Sequence, residues 1–186
     1  MTPKFKILPG LAPYGPLATA FPSEWGRLGR EGTVVQFNTQ SGPWVVNFRP
    51  GLEGLDTVLP HPNEHDAIVI SSGDLWIVDP ELRQADLLLP GIVAILEVQV
   101  PDGWVLSRQG LALARLGREG LVWHTRRLSW DGFDELKVGG GDLTGLAWSP
   151  IDGQWHPFRV DLRTGKSSGG SFFAEDTEGW ERLADG

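Results

Sequence analysis

The sequence predicts an all-β fold, and three observations predict it. Glycine (25 residues) and proline (14) are abundant, and both punctuate short strands and tight turns. Short runs rich in Val, Ile, Leu and Trp recur between turn signals, while no window sustains the 3.6-residue apolar period of a helix. The hexapeptide RLGREG occurs twice, at Arg27–Gly32 and Arg115–Gly120, 88 residues apart, and a strand-like run follows each copy. Eighty-eight is twice 44, and a period in the forties is that of a four-stranded blade. The expectation is a propeller-like arrangement of short antiparallel sheets, about four blade-like repeats, with a β-sandwich as the alternative.

Taken in order, the chain opens on a Pro/Gly-rich N-terminal segment, residues 1–26, broken by Pro3, Pro9, Pro13 and Pro16. Lys4 and Lys6 make it basic, but no apolar stretch of signal-peptide length follows, so a cytoplasmic protein is expected. Ser23 to Leu28 reads as a single helical turn. Thr33–Asn38 and Trp44–Arg49 flank TQSGP as a first hairpin, and Ala67–Ser71 and Leu75–Val78 flank SGD as a second. Ile92–Val100 and Trp104–Ser107 form a third around Pro101-Asp102-Gly103, and Leu111–Leu116 with Leu121–Thr125 a fourth around GREG. Leu136–Val138, Leu143–Trp148 and Pro157–Leu162 follow, separated by GGGD and SPIDGQ. A short acidic tail, residues 172–186, closes the chain, with a second helical turn at Trp180–Ala184.

Composition narrows the function classes. With 186 residues, 40% of them hydrophobic, the chain suffices for one domain, residues 1–186, with a real core. Without cysteine it has no disulfide framework, thiol nucleophile or cysteine-ligated zinc. A net charge of −8 repels nucleic acid and anionic membrane, so neither is an expected partner, and no segment reaches the apolar length of a membrane span.

Strand-ending turns recur as RLGREG, VDPELRQ, RLGREG and VDLRTG, with centres roughly 36 to 52 residues apart. The segment Pro60–Arg83, PHPNEHDAIVISSGDLWIVDPELR, resembles the bacterial propeller pattern of strand, Gly turn, strand and Asp-led turn. PFRVDLRTG at Pro157–Gly165 resembles the closing strand and turn of such a blade. Trp130-Asp131 is a WD pair without the Gly-His partner of WD40 blades, and that family is not indicated. The run from HPNEHDAIVISSG to WHPFRVDLRTGKSSGG is similar to a widespread, uncharacterised family of small bacterial proteins, a resemblance that implies no activity.

The densest polar cluster is His61, Glu64, His65 and Asp66, within HPNEHD. Two imidazoles four apart with nearby carboxylates fit a divalent metal, although Pro62 opposes the helix that HExxH geometry needs. The structural reading of the cluster is a turn entering the strand AIVIS. His124 lies on a strand and His156 at a loop-to-strand junction. Asp131, Asp134 and Glu135 surround an Asp-Gly turn, and Glu175, Asp176 and Glu178 fall in the tail. No GxSxG, GxxxxGK[ST] or GxGxxG is present. Most tryptophans are expected to fill the core, whereas Trp130, Trp148 and Trp155 lie beside turns where an indole can stay exposed.

The leading expectation is a non-enzymatic β-module that binds another protein through those tryptophans, without a cofactor. The alternatives are a metal-assisted or acid/base hydrolase using His61, Glu64, His65 and Asp66, and a carbohydrate-binding module floored by indoles. A homodimer through an uncovered edge strand is a further possibility.

Overall fold

The structure, a computed structural model, describes residues 4–14, 17–52, 54–100 and 102–173. Those residues form sixteen strands, one short helix and four sheets of four strands each. The all-β class and the four-sheet count are as the sequence predicts.

By contacts the chain divides into two compact units, Met1–Ala94 and Ile95–Gly186. The first unit holds sheets I and II. Sheet I has the order β1 (Phe5–Ile7), β3 (Thr33–Thr39), β4 (Gly42–Phe48), β2 (Thr19–Phe21), and its β2–β4 pairing is parallel. A short helix, α1 (Ser23–Arg27), links β2 towards β3. Sheet II is a meander of β5 (Thr57–Pro60), β6 (Ala67–Ser71), β7 (Asp74–Asp79) and β8 (Gln84–Leu89). Val35, Phe37, Trp44, Val46 and Phe48 of sheet I pack with Ala67, Val69, Trp76 and Val78 of sheet II. These residues alternate along their strands, which puts one face of each sheet into a shared core. Each fully buried side chain of this size contributes about 1.5–3 kcal/mol.

Sheet III, β9 (Ile92–Gln99), β10 (Asp102–Arg108), β11 (Ala112–Gly117) and β12 (Gly120–His124), belongs to the second unit apart from the start of β9. Sheet IV is β13 (Phe133–Gly139), β14 (Asp142–Ser149), β15 (Gln154–Asp161) and β16 (Ser167–Gly169). Val105, Leu113 and Trp123 of sheet III share a core with Leu143, Ala147, Phe158 and Val160 of sheet IV. The Trp123 indole also donates to the Leu162 carbonyl at 2.9 Å, which satisfies the polar end of a buried ring.

The two copies of RLGREG occupy different structures. In the first, Arg27 ends α1 and the rest runs through a turn to β3; the second is the end of β11 and its hairpin turn into β12. The recurring device is instead the Asp-led turn. Asp79 Oδ1 accepts from the backbone N–H groups of Glu81 and Leu82, each at 2.9 Å, in the β7–β8 hairpin. Asp161 Oδ1 accepts from those of Arg163 (3.0 Å) and Thr164 (2.7 Å) in the β15–β16 hairpin. Both aspartates lead from the third to the fourth strand of a sheet.

Five strands have no counterpart in the sequence reading: β1, β2, β5, β8 and β16. All five are outermost in their sheets. An edge strand buries little, so it lacks the apolar alternation that marks a central one.

Candidate binding surface and the histidine–aspartate turn

The HPNEHD segment folds as the turn expected before AIVIS. Asn63 organises it, its side-chain oxygen accepting from the N–H groups of His65 (3.0 Å) and Asp66 (2.9 Å). Its amide donates to Asp66 Oδ2 at 2.8 Å. Glu64 occupies a left-handed conformation at φ 65°, which the closed turn enforces.

The two histidines face opposite environments. His61 is buried, and its Nδ1 accepts the Asn63 N–H at 3.2 Å. Burial pushes its pKa below the ordinary value, against the raising effect of Asn63 and Asp66. His65 is exposed, with Nδ1 2.8 Å from Asp66 Oδ1 and 3.9 Å from Asp79 Oδ2. The hydrogen bond to Asp66, then the charge of Asp79, raise its pKa.

Of the four residues read from the sequence as a metal set, the structure therefore brings together His65 and Asp66, with Asp79 as third member. One ligand atom from each lies within 4.8 Å of the others. His61 and Glu64 fall outside that group. One imidazole and two carboxylates suit a divalent cation of the zinc or manganese type. Asp79 was legible in principle: β6 pairs with β7 through Ala67↔Val78, so one more step of register sets Asp66 opposite Asp79. A cavity of about 300 Å³ adjoins the group, bordered by Lys4, Glu64 and Glu81.

Sheet IV carries two of the three candidate tryptophans, Trp148 and Trp155. Strands β14 and β15 pair through Leu146↔Pro157 and Trp148↔Trp155, while Leu143↔Val160 and Gly145↔Phe158 alternate with them. Period two thus places Leu143, Ala147, Phe158 and Val160 inside, and Leu146, Trp148, Trp155 and Pro157 on the opposite face. The rings of Trp148 and Trp155 lie 5.1 Å apart at an interplanar angle of 56°. Trp155 is 42% exposed, and Ile151, in the turn between the two strands, is 70% exposed. Beside them His156 Nε2 sits 2.8 Å from Asp152 Oδ2.

Trp130 behaves differently. It is half-buried, edge-on to Phe172 at 4.7 Å, with the Arg127 guanidinium 4.9 Å from its ring centroid. Arg127 also donates to the Ser129 and Trp130 carbonyls, which pins this corner together. Trp130 therefore packs in an aromatic–cation cluster beside the exposed pair.

The remaining candidates are dispersed. Asp134 and Glu135 sit on the edge strand β13, where Glu135 adopts φ 49° at a register shift and pairs with Lys137 at 3.0 Å. Asp131 is exposed in the turn before β13, and His124 is exposed on β12. Trp180 and the acids Glu175, Asp176 and Glu178 lie outside the described residues. No helix among the described residues is long and apolar enough to cross a membrane.

No protein-family description matches this chain, and no curated protein is similar to it in sequence. The resemblance to a widespread bacterial family gains no support from these comparisons.

Proposed function

We propose that the chain is a non-catalytic binding module whose contact with a protein partner is the outer face of sheet IV. The observation that carries this reading is the Trp148–Trp155 pair, continuous in register with Leu146 and Pro157 and extended by Ile151. An aromatic pair braced by its own strand pairing loses little entropy on binding, which is why indoles anchor protein interfaces. The 56° tilt lets only one ring lie flat against a pyranose, so the pair suits a peptide side chain better than an extended sugar platform. Affinity capture from extract of the source cells tests this, with wild-type protein and the Trp148→Ala/Trp155→Ala variant as baits. A protein retained by the first and lost from the second is the expected result. Identical captures with both baits would contradict it.

A second reading has its own observation. His65, Asp66 and Asp79 converge, and we propose that they accept a divalent cation such as Zn²⁺. A cation bound only by the folded chain raises Tm. The rise is expected to vanish in Asp79→Asn and His65→Gln; a Tm indifferent to the metal removes this reading.

A further inference from the structure

A cavity lies in the first unit, on the face of sheet I turned away from the shared core. It measures about 430 Å³, within the range of small-molecule sites. Its floor is Gln36 of β3 with Val45 and Asn47 of β4, which alternate with the core residues Val35, Phe37, Trp44 and Val46. Leu8 and Leu11 form an apolar wall. Small side chains at Ala18, Ala20, Gly26 and Gly29 leave the space open.

The polar groups of the cleft are unevenly committed. Asn47 is satisfied, donating to the Arg30 carbonyl and accepting from Gly32 N–H, each at 2.9 Å. Glu31 is turned to the chain beside the cleft, its carboxylate accepting from Leu11 N–H at 2.7 Å, and it is not among the lining residues. Arg30 does line the cleft, is exposed, and makes no side-chain hydrogen bond or ion pair among the described residues. It is the one charged residue among the described residues lining the cleft, while the Glu31 carboxylate beside the cleft is engaged by the Leu11 N–H. An unpaired guanidinium beside apolar walls is a carboxylate-binding arrangement, since the planar fork matches two oxygens. At the mouth Tyr14 is 90% exposed and Leu17 is 97% exposed, apolar surface that a ligand tail would cover.

We infer that this cleft binds a small amphiphilic carboxylate, with the alkyl chain against the leucine wall and Val45 and the carboxylate on Arg30. The site is separate from the tryptophan face and does not depend on it. Sodium octanoate is the probe, titrated by calorimetry into the full chain, with octylamine as the same tail bearing the opposite charge. Saturable octanoate binding is expected, at least ten-fold weaker for octylamine and at least ten-fold weaker in Arg30→Gln. Leu17→Asp, at an exposed position that leaves folding intact, is expected to weaken it as well. Amide shifts on adding octanoate should centre on Gln36 and Val45. The inference is overturned by no saturable heat, by equal binding of the two amphiphiles, or by shifts that leave those two amides unmoved.

Discussion

The β7–β8 and β15–β16 turns share a design and differ in what covers their fifth residue. Each begins with an aspartate capping the N–H groups two and three residues on, and each places its fifth residue in the left-handed region. That residue is Arg83 (φ 56°) in one and Gly165 (φ 73°) in the other. Arg83 is exposed and reaches Ser41 Oγ at 3.2 Å. Gly165 is buried under Trp123, where an added Cβ would meet Cγ of the indole at 2.7 Å. The aspartate sets the turn, and the residue overhead decides whether glycine is required.

Substitution at the covered position should have the largest effect. Gly165→Ala combines a left-handed alanine with overpacking against Trp123, and should cost about 3 kcal/mol in urea unfolding. The aspartates come next. Asp161 accepts a third bond, from Thr164 Oγ1 at 2.8 Å, so Asp161→Ala should lower the urea midpoint further than Asp79→Ala. Bonds from the Thr164 hydroxyl and N–H hold Asp161 below the ordinary carboxylate range. Its contribution should therefore be complete above the unfolded pKa of about 3.9 and fade as pH falls through the folded value. Arg83→Gly relieves about 1 kcal/mol of left-handed strain but frees the unfolded chain by a similar amount, so its net effect should stay within about 0.5 kcal/mol. A loss as large as that of Gly165→Ala would break the comparison.

Charge separates the two turns as well, because Asp79 faces His65. In a proton NMR titration His65 should titrate above its ordinary value and His61 below it. The His65 contribution to stability is present below the unfolded pKa of about 6.5 and is lost as pH rises through the folded value. The His61 effect has the opposite sign, removing stability as pH falls through about 6.5. Asp79→Asn should bring His65 down towards its ordinary value and leave His61 in place.

The same pair of turns shows what was legible. VDPELRQ and VDLRTG share little sequence but fold alike, because one aspartate determines where the hydrogen bonds go. RLGREG, repeated without a change, folds in two ways because its neighbours differ: a helix precedes it at Arg27 and a strand contains it at Arg115. Central strands were readable as short apolar runs between turn signals, as at TVVQF and AIVIS, and the edge strands QADLLL and SSG were not. At the tryptophan face, turn proximity marked Trp148 and Trp155, but only the register separates them from Trp130, which packs on Phe172.

Hydroxyl-radical footprinting of the chain with and without a partner captured as proposed tests the tryptophan contact most directly. The account predicts that Trp148, Ile151 and Trp155 become protected together, while Tyr14 and Leu17 at the cleft of the first unit react as before. Protection elsewhere, with Trp155 reacting as in the free protein, would contradict it.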